Sequence, residues 1–270
     1  MNGKKIRLNR LFSKGENAVV VAVDHGEFDG PLPGFIDLPE TVKKIPPQAD
    51  AILLSPGMVA RCGHAFGYKG APLPIIRLNW ATTYCFHWGY KEAATVVAMR
   101  PEDAVRAGAD TVLVSLTLQT GSEAQDAENV RVFCELTNEA HRLGLLVVGE
   151  LFPVMGEKIS AAKLHQQVYR GCRIITELGA DLIKTFYTMK FREVVESCPV
   201  PILGLGAAKL PTELAALDLA HKEIRDGARG VVFGRNVIQS KDPTRFVAAL
   251  CDVVKRGKQP KEAAAKHGLA

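Results

Sequence analysis

The feature that most limits what this chain can become is a repeating unit. A short, unbroken apolar run, often rich in valine, is followed by a segment of helical periodicity. Such runs occupy residues 18–23, 51–54, 75–79, 111–116, 145–151, 182–184, 201–204 and 230–233. Continuous rather than alternating hydrophobicity marks strands buried on both faces, as in parallel sheets. Segments 38–45, 58–62, 101–107, 124–143, 161–178, 191–196, 210–226 and 243–256 are predicted as helices, and a short extra strand is expected within 93–99. Pro101 suits a first helical position, and Gly144 and Gly179 stop the helices that precede them. Helix 124–143 is expected to bury Val130, Phe133, Cys134, Thr137 and His141.

About eight such units imply an α/β chain folded as a (β/α)8 TIM barrel. Neither a linker nor a shift of composition divides residues 1–270, so one barrel domain is expected, with a short N-terminal extension and a C-terminal helical tail. The competing architecture, a doubly wound open sheet, would want a Gly-x-Gly-x-x-Gly turn after the first strand. Asp24-His25-Gly26 stands there instead.

Composition narrows the function classes. Hydrophobic residues make up 47% and charged residues 23%, an ordinary globular balance. No apolar run reaches the ~18 residues of a membrane span, and the basic start of the chain lacks the apolar core of a secretory signal. The net charge of +5 is spread along the chain, with a locally basic stretch at 255–266 read as a solvated terminal helix. No nucleic-acid motif accompanies it, so neither nucleic acid nor membrane is expected as a partner. Six cysteines without a Cys-x-x-Cys pair suggest free thiols in a reducing cytoplasm. Cys62-x-His64 and Cys85-x-His87 contain four possible zinc ligands, but they flank a strand without a standard spacing. Separate packing roles are expected, with no metal and no cofactor.

A barrel of this kind carries its active site at the C-terminal ends of its strands. Asp24, Ser55, Glu150, Lys184, Gly206 and Gly234 all lie at such ends and are expected to face one mouth. Lys184 is the most informative of them. Burial disfavours an ammonium, and the neutral amine is a nucleophile that forms a Schiff base with a carbonyl. The alternative is a lysine that reaches solvent or pairs with an acid. Two small-residue loops, 203–209 and 233–236, let backbone amides approach a phosphate, with Lys209 or Arg235 to neutralise it and a following helix N-terminus to favour it. A phosphorylated small-molecule substrate is expected.

Several segments resemble the archaeal-type class I fructose-bisphosphate aldolases, within the superfamily of deoxyribose-phosphate aldolase. Gly179-Ala-Asp-Leu-Ile-Lys184-Thr-Phe-Tyr-Thr188 is similar to their Schiff-base segment, and Val23-Asp24-His25-Gly26 to their first strand end. Pro199-Val-Pro201 through Lys209, and Gly227-Ala228 through Gln239, are similar to their phosphate loops. The resemblance spans roughly residues 16–240. Relatives include a 2-amino-3,7-dideoxy-heptulosonate synthase and a thiolase that processes the phosphorylated signal autoinducer-2. The resemblance implies that Lys184 forms the iminium, that Asp24 acts beside it as proton acceptor or electrostatic partner, and that Gly206, Ala207, Arg235 and Lys209 hold phosphate, with Gly234 in the second loop. It also implies a homo-oligomer, as a multi-subunit ring.

The departures point away from fructose 1,6-bisphosphate cleavage in its usual form. Where the family has an aromatic, a tyrosine and then Pro-Arg-Gly, this chain has Gly149-Glu150-Leu-Phe152-Pro153-Val-Met-Gly156. The tyrosine is the family's proton-transfer residue, and Phe152 cannot replace it. Glu150 shares the inward face with Phe152, so its pKa is expected to rise and the carboxyl to serve as acid and base, unless it only pairs with a cation. Gly-Gly-Pro-Lys becomes Gly206-Ala207-Ala208-Lys209, and the family's Gly-Asp-Pro after Tyr-Thr is absent after Thr188. The expected function is a Schiff-base lyase acting on a phosphorylated ketose or related keto compound. The alternatives are retro-Claisen or acyl transfer on a phosphorylated diketone, a metal-dependent aldolase using the Cys/His pairs, and a non-catalytic sugar-phosphate-binding barrel.

Overall fold

Short strands that are apolar on both faces can be buried only by neighbouring strands and a layer of helices on the outside. A computed structural model, which describes residues 2–154 and 159–269, has that arrangement. Eight parallel strands close into a barrel: β1 (Ala18–Ala22), β2 (Ala51–Leu54), β3 (Leu73–Arg77), β6 (Thr111–Leu116), β7 (Leu146–Leu151), β8 (Leu182–Phe186), β9 (Ile202–Leu205) and β10 (Gly230–Phe233). Two short strands, β4 (Asn79–Ala81) and β5 (Thr95–Val97), pair antiparallel outside the barrel. The apolar run that was expected as one strand over 75–79 therefore divides. Its first part stays in the barrel, and Asn79 opens the separate pair.

Alternation along each strand sorts side chains between two cores. Val19, Val21, Ile52, Leu54, Val112 and Val114 face the helices. Ala18, Val20, Ala22, Leu53, Ile75, Leu146, Val148 and Leu182 fill the lumen, where Leu8, Leu11 and Phe12 pack with them. The N-terminal extension is thus a helix, Asn2–Leu11, that closes one end of the barrel. Helix Glu123–Arg142 buries Val132, Phe133, Leu136, Thr137 and Ala140, so the buried stripe is rotated from the expected one: Val130, Cys134 and His141 are only half-buried.

The C-terminal basic stretch is not a solvated tail. Helix Pro260–Lys266 buries Pro260, Ala263 and Ala264. Asp252, buried in helix Pro243–Arg256, ties it down through Lys266 Nζ at 2.7 Å and His267 Nε2 at 3.0 Å. Burial alone would push the Asp252 carboxyl up, but hydrogen bonds from Lys266, His267 and Arg256 hold it well below the ordinary carboxylate range.

Candidate active site

Continuing the inward parity past the apolar layers of the lumen brings four charged side chains together. Asp24 follows Ala22, Arg77 follows Ile75, Glu150 follows Val148 and Lys184 follows Leu182, each two residues on. The register pairs Glu150 directly with Lys184 across β7 and β8. Lys184 Nζ lies 2.6 Å from Glu150 Oε1. Arg77 bridges the two carboxylates: its Nη2 donates to Glu150 Oε2 at 2.6 Å and its Nε to Asp24 Oδ2 at 2.8 Å. All four side chains are buried. Two cations and two carboxylates compensate one another, which is the condition under which charges persist in a protein interior.

The carboxylates respond accordingly. Burial pushes Asp24 up, yet Arg77, Lys184 and His25 outweigh it and bring the pKa down to about 2. Burial likewise opposes ionisation of Glu150, but Lys184 and Arg77 hold its carboxyl below the usual value. This corrects the expectation that Glu150 rises toward neutrality. The apolar ring of Phe152 is present, but the two cations decide the sign. His25, with Nδ1 3.8 Å from Asp24 Oδ1, is lowered to about 4 by burial, which Asp24 only partly offsets, and is neutral at physiological pH.

These groups line a cavity of about 320 Å³ together with Phe28, Tyr84, Phe86, Phe152, Phe186, Gly206, Ala207, Ala208, Gly234 and Arg235. Its size suits a small metabolite. Ser55 does not join it: it precedes the short helix Pro56–Val59 and lines a different groove. Lys209 belongs to the loop but not to the cavity lining, whereas Arg235 does line it. Arg235 Nη2 donates to the Ala207 carbonyl at 3.1 Å, and its Nε has no partner among the described residues. Asn236 ties the two loops together, donating to the carbonyls of Gly206 and Ala208 and accepting from the Leu210 amide. A Cβ on Gly234 would meet the His25 ring at 2.3 Å, so only glycine fits there. Ala207 adopts a φ of 51°, in the left-handed region, at the position where the family carries glycine. The helix after Gly234, Arg235–Ile238, is a single turn, and the helix after the other loop begins only at Glu213. A helix dipole at either loop is therefore a smaller contribution than expected, and Arg235 is the loop cation that lines the cavity.

Arg77 and Tyr84 were not singled out in the sequence. The signal for Arg77 was available: it shares the inward parity of Ile75, and a charged residue there needs a buried partner. Tyr84 had no such signal, because it comes from a one-turn 3-10 segment, Thr82–Tyr84, in the excursion between β4 and β5. The Cys/His pairs stay apart. His64 Nε2 meets the Pro39 carbonyl at 3.1 Å, Cys85 Sγ points to the Ala81 carbonyl, and no metal-holding group of three such side chains exists among the described residues. All six cysteines are free. Met155 and Gly156, the end of the altered strand-end segment, lie outside the described residues.

A closed parallel barrel with this family of neighbours is that of a class I aldolase, a carbon–carbon lyase. Residues 18–240 match the DeoC/LacD family of aldolases, and the chain belongs to that family. It is 33% identical over 259 residues to an uncharacterized aldolase of Saccharolobus solfataricus, covering 94% of this chain and 95% of that protein. It is 31% identical over 254 residues to the 3-hydroxy-5-phosphonooxypentane-2,4-dione thiolase of Yersinia pestis, covering 93% of this chain and 82% of that one. The crystal structure of an archaeal fructose 1,6-bisphosphate aldolase superposes with a TM-score of 0.80 at 25% identity, covering 94% of this chain and all 100% of that one. A Schiff-base-forming fructose-1,6-bisphosphate aldolase superposes with a TM-score of 0.79 at 27% identity, covering 93% and 99%.

Proposed function

We propose that Lys184 is the Schiff-base nucleophile of this aldolase and that the substrate is a phosphorylated ketose or related keto compound. The observation that carries this is the buried pair of Lys184 Nζ and Glu150 Oε1 at 2.6 Å, inside a cavity that also reaches Gly206, Ala207, Gly234 and Arg235. Before attack the amine must shed a proton, and Glu150 is the acceptor within hydrogen-bond distance. Addition to the carbonyl gives a carbinolamine, and loss of water gives the iminium. The iminium withdraws the electrons of the adjacent C–C bond, which breaks to an enamine as the β-hydroxyl gives up its proton. Asp24, held ionised beside Arg77, is suited to electrostatic support of the positive iminium rather than to proton transfer. Arg235, with Nε unpartnered among the described residues, and the backbone of Gly206 and Gly234 suit a phosphate. A cytoplasmic location, read from the six free cysteines, and a homo-oligomer, implied by the resemblance, belong to the same proposal.

The test is reductive trapping. Borohydride added with dihydroxyacetone phosphate should fix a fragment on Lys184, located by mass spectrometry. Lys184→Arg should give none, because a guanidinium stays protonated and does not attack carbonyls. An adduct on another lysine defeats the assignment. The thiolase relative supports a second reading, retro-Claisen cleavage of a phosphorylated diketone. It differs in product: an acyl group leaves as an acid or thioester rather than as an aldehyde.

A further inference from the structure

The strand-end position that carries the family's tyrosine is Phe152 here, and Glu150 is occupied by two ion pairs. A phenol nevertheless stands in the cavity. Tyr84 is buried, with its ring centroid 4.1 Å from that of Phe152 and 4.6 Å from that of Phe28. The Arg77 guanidinium lies over the same ring, 4.8 Å from its centroid. The tyrosine within the lysine segment, Tyr187, is engaged elsewhere, donating to Asp226 Oδ2 at 2.7 Å. Tyr84 is thus the one phenol lining the cavity among the described residues.

Its position is fixed from outside the barrel. Thr82 N donates to the Ala94 carbonyl at 2.9 Å, Ala94 N donates back to Thr82 Oγ1 at 2.9 Å, and Thr83 Oγ1 meets Thr117 Oγ1 at 3.2 Å. The hydroxyl of Tyr84 is buried beside Ser115 and Glu150. Burial and the neighbouring Glu150 carboxylate drive its pKa well above the ordinary phenol value, which keeps the proton on the oxygen at neutral pH.

We propose that Tyr84 is the proton donor at carbon in this site, in place of the missing strand-end tyrosine, with Glu150 as the carboxylate that restores its proton. The inference rests on the Schiff-base reading of Lys184. In cleavage, the β-hydroxyl proton passes to the Glu150 carboxylate as the C–C electrons enter the iminium, leaving a neutral enamine and a neutral carboxylic acid. Tyr84 then gives its proton to the enamine carbon, which regenerates an iminium and leaves a phenolate. The phenolate takes back the proton held by Glu150. One proton has moved from oxygen to carbon, and both side chains return to their starting forms.

The experiment uses dihydroxyacetone phosphate in heavy water. Two quantities are followed in the parent protein and in Tyr84→Phe: borohydride trapping on Lys184, and exchange of the substrate's α-proton for deuterium by NMR. Trapping should be preserved in Tyr84→Phe while exchange falls about 10²–10⁴-fold. The melting temperature is the second readout: a merely structural tyrosine would lower it and spare the exchange rate. Trapping in both proteins with unchanged exchange overturns the Tyr84 role and leaves Lys184 intact. Exchange absent from the parent while the adduct forms also overturns it. Absence of the Lys184 adduct in the parent removes the Schiff-base reading and this inference with it. If Tyr84→Phe does not fold, 2,3-difluorotyrosine at the same position keeps ring and hydroxyl but acidifies the phenol. The pH profile of exchange must then move to lower pH, and an unmoved profile overturns the role.

Discussion

At one end of the lumen Leu8, Leu11 and Phe12 pack with Ala18, Ile75, Leu146 and Leu182. A few residues further along the same strands, the same inward positions hold Asp24, Arg77, Glu150 and Lys184. Both layers are buried, and neither is explained by strand propensity, since the backbone is the same. The apolar end is stable because each side chain leaves water without an electrostatic cost. The charged end is tolerated because it is closed as a set, two cations against two carboxylates. A set of that kind is intolerant of change at any member. The apolar end tolerates change in proportion to the volume removed.

Three substitutions test this contrast, in falling order of effect. Glu150→Gln should slow turnover by roughly 10²–10⁴-fold while Lys184 still traps a carbonyl compound, more slowly than in the parent, because the amide keeps the shape of the site but cannot carry the proton. Steady-state kinetics beside adduct mass spectrometry check it, and unchanged turnover would remove Glu150 from the chemistry. Leu11→Ala should cost about 2–5 kcal/mol in stability by opening a cavity at the apolar end. Its kcat in the surviving folded protein should match the parent, as read by denaturant titration and assays below the transition. A matching loss of kcat would mean that the two ends are coupled. Within the mouth, Arg235→Ala should raise KM for a phosphorylated substrate by about 10–100-fold, the size of a lost hydrogen bond to a charged group, with little change in kcat. If kcat falls instead, Arg235 acts on the reacting atoms and not on a remote phosphate.

The legible part of the site is the part that lies on strands. Asp24, Glu150 and Lys184 could be placed in one mouth because each ends an apolar run, and a parallel barrel gathers such ends. The same logic failed for Ser55, which caps a helix over a separate groove. Arg77 is within reach of the alternation argument, but a single strand over 75–79 hides that Arg77 is the last barrel residue of that run. Lys209 and Arg235 looked equivalent as loop cations, and only the path of the chain separates them.

The sequence by itself determined the barrel and its strand order, because continuous apolar runs with helical segments between them have few ways to be buried, and the motifs at 179–188 and at the strand ends carried the resemblance to the family. It also determined that a lysine and two carboxylates share one end of the strands. Tertiary structure alone decided their state. The sign of the Glu150 shift depends on Arg77 and Lys184 standing within hydrogen-bond distance, and contributions of burial and charge that oppose each other cannot be summed without distances. Tertiary structure also brought Tyr84 to Phe152 from an excursion outside the barrel. No periodicity relates those two residues, and only the path of the excursion between β4 and β5 puts one ring on the other.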